Sequence, residues 1–338
     1  MNKKRITIKD IANVLNISPA AVSKAMHDDS RISTKTKEAV RRVAKELNYQ
    51  PNHLASALRK GKSNLVGVIV PRTNSNFFSS VIENMEAVLN KAGYNIIITQ
   101  SNESFDKECK NIDTLLYTQV DGIIASMANE TVDLSHYEKI KSKGIPLILF
   151  DRGENDLNVD YVGINDYDSS HIIVEHLVEK GCKRIAHIGG YRRTRIFNNR
   201  IRGYVDALKK NKLPIDDSLI IESSLTLEDG RREMERLLSL DNKPDAVYVA
   251  SDYAALGALQ VLNESKINVP KEIKLVGFGN EPFTSLVSPS ITSIAQHSKD
   301  IGRLAAETFL KRIAQPELKQ SLNKIILEAQ LIVRDSSS

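Results

Sequence analysis

Apolar positions recur along this chain in two rhythms, and the change falls near residue 65. Before it the repeat is every three or four residues. Ile8, Ile11, Ala12 and Leu15 share one helical face. Thr7, with Asp10 three residues on, marks the start of that helix as a variant capping box. Asn16-Ile17 breaks the run, and Ser18-Pro19 restarts it. Ser caps the second helix, and Pro takes its first position, where a missing N–H costs nothing. Ala21, Val22, Ala25 and Met26 form its inner face. Ser33 caps a third helix whose apolar face is Ala39, Val40, Val43, Ala44 and Leu47. Pro51 stops that helix. Asn52 can cap one more, of about two turns, too short to be stable alone in water. Leu54 and Leu58 would leave it with an apolar stripe that nothing local covers.

From residue 65 short continuous apolar runs alternate with helical segments. Runs at 65–70, 96–99, 121–126 and 146–150 read as buried parallel strands, with helices near 79–92, 106–117 and 136–143 between them. A helix at about 168–180 leads to a second set of strands at 184–190, 219–223, 245–251 and 273–278. Helices at 200–209, 228–238 and 253–264 separate these. The tail from 291 adds a strand, a helix over 299–313 and strands near 325–327 and 331–333. Such alternation predicts right-handed βαβ units, and its repetition predicts two similar lobes.

Composition is that of a soluble globular chain of 338 residues, 26% of them charged. No apolar run reaches the ~18 residues of a membrane span. The basic start Met1-Asn2-Lys3-Lys4-Arg5 has no apolar stretch after it, so it reads as an unprocessed cytoplasmic N-terminus. Cys109 and Cys182 lie too far apart for a CxxC pair and are expected to be reduced thiols. Charge is unevenly placed. Residues 1–62 hold nine Lys and five Arg against five Asp or Glu, a net of +9, and the remainder holds 33 basic and 37 acidic residues. A basic head on a mildly acidic body points to a polyanionic partner for the head alone.

Two short helices, a capped turn and a supporting third helix are the parts of a helix-turn-helix, whose second helix enters the major groove. Its outward side chains are Pro19, Ala20, Ser23 and Lys24. Lys24 can reach guanine or phosphate, and Pro19 and Ala20 suit a thymine methyl. Hydroxyls at Thr7, Ser18, Ser33 and Thr36 sit at helix starts, where phosphate binds. Lys9, Arg31, Tyr49, Asn52 and Arg59 complete the candidate DNA contacts. Leu58 resembles a minor-groove wedge on a marginal, basic helix.

The stretches TIKDIANVLNISPAAVSKAM, RISTKTKEAVRRVAKELNYQPN, LASALRKGKS and LVGVIVP together resemble the lactose/galactose repressor (LacI/GalR) family, and the similarity runs to the C-terminus. The resemblance implies an α/β chain. It has an all-α helix-turn-helix head (1–50), a hinge helix and linker (51–62) and a periplasmic-binding-protein-like body (63–338). The body would be two doubly wound parallel-sheet lobes. The N-lobe is placed at about 63–162 and 291–324, the C-lobe at about 163–290 and 325–338, with crossovers near 162, 290 and 324. It further implies a cytoplasmic homodimer that acts as a repressor on double-stranded palindromic operator DNA, controlled by a small-molecule effector of carbohydrate type.

No enzyme motif survives inspection. Gly61-Lys62-Ser63 ends like a phosphate loop, but Ser56 stands where its first glycine belongs. Gly277-Phe278-Gly279-Asn280-Glu281-Pro282 begins like a dinucleotide fingerprint and ends in Pro. There is no GxSxG or HExxH, and no metal or cofactor is expected. Open α/β sheets bind ligands beyond the carboxyl ends of their strands. The residues expected there are Asn74, Phe77, Phe78, Ser126, Asp151 and Arg152 in the first lobe. The second offers Arg200, Leu225, Ser251, Asp252, Gly279, Asn280 and Glu281. The resemblance singles out Arg200, in NNRIRGY, and Asp151, in ILFDR, and one per lobe they should face each other. Two positions depart from the family. Gly279 stands where many members carry Asp, and Leu225 where an aromatic often stacks on the effector. The alternative class is a solute-binding protein without DNA activity, opposed by the +9 head.

A dimer presenting two such heads should lose DNA affinity steeply with salt, with log K falling by about 0.9 per log unit for each neutralised phosphate. Lys24→Ala should cost roughly 1–3 kcal/mol at the specific site if Lys24 reads a base. Equal loss on random DNA in the same titration would reduce Lys24 to a phosphate contact.

Overall fold

The computed structural model describes residues 6–49, 62–153, 155–315 and 322–338. The chain divides into two compact units, 1–63 and 64–338. In the first, α1 (Ile8–Leu15), α2 (Pro19–Met26) and α3 (Thr34–Glu46) enclose Ile11, Ala12, Val22, Ala25, Val40, Val43 and Ala44. Asn16, in the left-handed region at φ 48°, ends α1 and turns the chain into α2. The expected hinge, with Asn52, Leu58 and Arg59, lies outside the described residues.

The second unit opens with β1 (Leu65–Val70), α4 (Asn76–Lys91), β2 (Asn95–Gln100), α5 (Phe105–Tyr117), β3 (Gly122–Ala125), α6 (Ser135–Ser142), β4 (Leu147–Phe150) and β5 (Asp160–Ile164). There follow α7 (Asp166–Glu179), β6 (Ile185–Gly189), α8 (Arg195–Lys210), β7 (Ile220–Glu222), α9 (Leu227–Leu238), β8 (Ala246–Val249), α10 (Asp252–Glu264) and β9 (Lys274–Gly279). Last come β10 (Thr292–Ala295), α11 (Ser298–Ala314), β11 (Lys324–Leu327) and β12 (Gln330–Ile332). Among the described residues these strands form two sheets. One has the order β2-β1-β3-β4-β5-β11 and the other β7-β6-β8-β9-β10-β12. All neighbours are parallel except β12, which runs antiparallel to β10. In each lobe the strand order reverses between the first and third strands, which opens a crevice at their carboxyl ends.

Strands buried on both faces explain the continuous apolar runs. In β4, Ile148 and Phe150 join the layer of α4 and α11, while Leu147 and Leu149 join that of α5 and α6. In the other lobe Tyr248 faces the layer of α7 and α8, and Val247 and Val249 face α9 and α10.

The structure corrects several boundaries. The chain first crosses between lobes after β5, not near 162. That strand begins with Asp160, a polar residue which hides it in the sequence. Asp160 is buried because Arg312 Nη2 donates to it at 2.7 Å and the Asn323 N–H at 2.7 Å. β10 pairs with β9, so residues 291–295 belong to the second lobe and the crossover falls at Gln296-His297, not at 290. β11 pairs with β5 in the first lobe, which moves the third crossover beyond 327. The run at 96–99 is no buried strand: β2 lies at the sheet edge and Ile98 is exposed. α8 starts at Arg195, so Arg200 lies inside the helix and not at its head.

Helices α9 and α10 approach through glycine. A Cβ at Gly230 would lie 1.9 Å from the Ala254 carbonyl oxygen, and one at Gly257 2.0 Å from that of Leu227. Alanine normally gains about 1 kcal/mol over glycine in a helix interior. Here the methyl must displace backbone, so Gly257→Ala should give a net loss of about 1–3 kcal/mol in urea unfolding. A gain would mean that the two helices part freely.

Candidate functional site

In the head, Ser18 Oγ accepts from the Ala21 N–H at 3.1 Å and fixes the start of α2. This leaves Pro19, Ala20 and Lys24 exposed on one side and Ser23 half-buried. Lys9 and Lys24 are exposed and have no ion-pair partner among the described residues. The hydroxyls expected at helix starts have capping roles. The Thr7 N–H and hydroxyl both donate to Asp10, at 2.7 and 2.6 Å. Ser33 Oγ accepts from the Thr36 N–H at 3.2 Å and lies 2.8 Å from its hydroxyl. Arg31 is engaged internally: Nε and Nη2 donate to the two Asp29 oxygens at 3.0 and 2.7 Å. That fork holds the Asp29 carboxyl well below the usual carboxylate range. Tyr49 is half-buried against the three-helix core.

The body carries a cavity of about 350 Å³ between its lobes, at the carboxyl ends of the strands. Asn74, Phe77, Phe78, Asp151 and Arg152 line it from the first lobe, and Arg200, Leu225, Ser251, Asp252, Gly279 and Glu281 from the second. Two expected residues are not brought there. Ser126 is buried behind the wall, its hydroxyl donating to Asp151 Oδ2 at 3.4 Å. Asn280 turns away: its side-chain oxygen accepts from Arg334 Nη2 at 2.7 Å. Arg72, Glu103, Asn129, Phe197, Phe278 and Gln296 line the cavity unannounced. Glu103 and Asn129 lie in loops beyond strands two and three, and the rule that ligands gather at strand ends would have reached them. Phe197 and Phe278 read as core residues in the sequence.

Arg200 lines the cavity from the lobe opposite Asp151, but its hydrogen bonds are made within its own lobe. Its Nε donates to Asp166 at 2.8 Å and its Nη1 to the Ala250 carbonyl at 3.2 Å. The guanidinium lies 3.6 Å above the centre of the Phe278 ring. The helix displacement is the reason: from inside α8, Arg200 reaches the start of α7. Burial pushes the Asp166 carboxyl up, against the pull of Arg200.

Asp151 has a left-handed backbone at φ 57°, as does Leu225 at 59°. Such strain in branched residues persists only where surrounding structure imposes it, often at binding sites. Burial pushes the Asp151 carboxyl up to about 6, against the charge of Arg152. Asp252 is likewise pushed by burial to about 6, although the Glu281 N–H donates to it at 2.8 Å and the Ser293 hydroxyl at 2.7 Å. Its carboxylate explains Gly279. A Cβ there would stand 3.2 Å from Asp252 Oδ2, on a backbone at φ 133°. An Asp at 279 would add a second negative charge beside a buried one.

Other contacts span the lobes. Burial raises the Glu281 carboxyl, opposed by the N–H groups of Phe77 and Asn76 and the Ser75 hydroxyl at the start of α4. Thr194 Oγ1 donates to Asn129 Oδ1 at 3.3 Å, and Arg195 Nη1 to the Gly153 carbonyl at 3.3 Å.

Asp151 and Asp252 hold protons more tightly folded than unfolded. Below about pH 4 they are protonated in both states and contribute nothing. Between about pH 4 and 6 the unfolded carboxyls are ionised while the folded ones still hold their protons, so stability falls as pH rises, and above about 6, where the folded carboxyls ionise too, the loss is complete. Asp151→Asn should remove about 1–3 kcal/mol of this fall. Urea unfolding of both proteins across that range measures it, and superimposable pH profiles would contradict the assignment.

Comparison with known proteins agrees with this architecture. The family described as bacterial regulatory proteins, lacI family, matches residues 7–52, and the periplasmic binding protein-like domain matches residues 174–337. Catabolite control protein A of Priestia megaterium is 31% identical over 318 residues, covering 94% of this chain and 95% of that protein. The lac repressor dimer bound to operator and the anti-inducer ONPF shares the fold, with a TM-score of 0.86 at 23% identity over 99% of both chains. The transcriptional regulator CelR in complex with cellobiose has a TM-score of 0.74 at 26% identity, over 98% of this chain and 100% of that one. With head, two-lobed body and near-complete coverage in agreement, the chain belongs to the lacI family of bacterial regulatory proteins, DNA-binding regulators of transcription.

Proposed function

We propose that this protein is a dimeric repressor that acts in the cytoplasm on a palindromic operator, with its DNA affinity set by a sugar-type molecule in the interlobe cleft. One observation carries the reading: the same chain holds a helix-turn-helix with Pro19, Ala20 and Lys24 facing outward and a cleft whose walls come from both lobes. Two heads related by a two-fold axis read two half-sites, which is why the operator is palindromic. The lac repressor dimer bound to operator and the CelR complex with cellobiose support the two halves of the reading.

A ligand in the cleft touches both lobes, so it favours whichever lobe arrangement fits it. Any difference in its affinity for two arrangements becomes a difference in operator affinity. Asp151, with Arg152 beside it, supplies polar contacts from one wall, and Asp252 with Ser251 from the other. The aromatic faces of Phe77 and Phe197 suit the C–H faces of a sugar ring. Arg200 holds the floor. Removing it would leave Asp166 buried and unpaired, at a cost of about 3–5 kcal/mol.

The test joins operator binding to a sugar screen by fluorescence anisotropy. An active sugar should change operator affinity, and Asp151→Asn should weaken that response at least about tenfold. Operator affinity without sugar should stay within about twofold. Sugar binding with no affinity for any DNA would instead favour a solute-binding protein.

A further inference from the structure

The start of α8 makes a seam between the lobes. Further along that helix Arg200 is tied to Asp166 inside the second lobe. The helix start reaches the other way. The Thr194 hydroxyl donates to Asn129, Arg195 Nη1 donates to the Gly153 carbonyl at 3.3 Å, and the Arg152 guanidinium lies 5.9 Å from the centre of the Phe197 ring. All three partners belong to the first lobe. A void of only about 10 Å³ remains between Met127, Ala128, Arg152 and Gly153 on one side and residues 193–196 on the other. That is no more than a water needs, so the lobes meet there directly and leave no room for a ligand.

Arg195 makes a second contact across this seam. Its guanidinium lies 5.9 Å from the centre of the Tyr161 ring, on β5 of the first lobe. The Tyr161 hydroxyl in turn donates to the Asp151 carbonyl at 2.7 Å. Between these contacts runs the turn Asp151-Arg152-Gly153, which begins with the left-handed Asp151 at φ 57°. The Arg152 carbonyl accepts from the Met127 N–H at 3.3 Å. The turn lies close on the ring because residue 153 has no side chain: a Cβ there would stand 3.1 Å from Tyr161. All three carbonyls of the turn are therefore taken, two by groups of the first lobe and the last by Arg195 from the second. Contacts of this kind are weak one by one, so they can break and re-form as lobes part and close. Together they hold the strained Asp151 in place at the cavity wall.

We infer that Arg195 is a positioning residue that clamps the second lobe onto the Asp151 turn, so that closing the cleft and shaping its Asp151 wall are one event. An arginine suits this task because one planar group donates to a carbonyl and also covers an aromatic ring. A lysine keeps the donor and loses the plane. The inference holds whichever ligand the cleft takes, so a failure of the sugar reading would leave it intact.

Two measurements on the full-length protein test it without any ligand. The chain has no Trp, so Phe197→Trp places a lone fluorescent reporter in the seam. In that background Arg195→Ala should raise acrylamide quenching by at least about twofold, with Arg195→Lys in between. The second measurement follows the Asp151 and Asp252 carboxyls by NMR in protein labelled at Asp. Burial holds both at about 6, one in each lobe. Arg195→Ala should let water reach Asp151 and bring it down towards the ordinary value of about 4, while Asp252 stays at about 6. Losing a cation would by itself move Asp151 upwards, so a fall reports the opened turn. An Asp151 titration that does not fall, an equal fall at Asp252, or unchanged quenching overturns the inference. Should Arg195→Ala fail to fold, Arg195→Lys decides by the same readings, with a smaller fall expected at Asp151.

Discussion

Arg200 sits 4% exposed, with its Nε on Asp166 and its plane over Phe278. A charge taken that far from water must be paired and hydrogen-bonded, or the lobe would not close over it. The cleft floor is arranged around that need. α8 supplies the guanidinium, α7 begins with the carboxylate that meets it, and the Ala250 carbonyl at the end of β8 takes a second N–H. Three elements of the second lobe are locked by one cation, and the cavity above inherits a fixed base.

The rest of the cleft shows the same bookkeeping of charge in a low-dielectric place. Carboxyls at Asp151, Asp252 and Glu281 are all raised, with burial the largest cause in each. They are tolerated because N–H and hydroxyl donors meet two of them and a guanidinium neighbours the third. Gly279 belongs to this scheme, since its lack of a side chain keeps a further group from crowding the Asp252 carboxylate.

Head and body solve opposite electrostatic problems. The head keeps cations such as Lys9 and Lys24 in water and unpaired among the described residues, available to a polyanion. Its acids are used to hold the fold: Asp10 on Thr7, Asp29 on Arg31, Asp28 on Arg41 at 2.6 Å. In the body the guanidinium groups that line the cleft are matched internally: Arg72 and Arg152 by Glu103, and Arg200 by Asp166. Such a division suits a chain whose head meets DNA.

Much of this was legible in the sequence. The three helices of the head follow from Thr7, Ser18 and Ser33 as caps and from a 3.6-residue apolar repeat, because caps and amphipathic faces are local properties. The two lobes follow from repeated buried strands, and the strand-end rule found most of the cleft residues named in advance. What the sequence did not carry is long-range pairing. β5 escaped notice because Asp160 is made burial-worthy only by Arg312 and Asn323, more than 150 positions away. The crossover positions depended on which strand β10 and β11 would join, a choice made by hydrogen bonding within each sheet. Arg200 and Asp151 do line one cleft from opposite lobes, but nothing local in the sequence pairs Arg200 with Asp166. A side chain's partner is decided by helix register and packing, which brought Asp166 within 2.8 Å of Arg200. Local periodicity fixes what an element is; only the packed fold decides which charge it must answer.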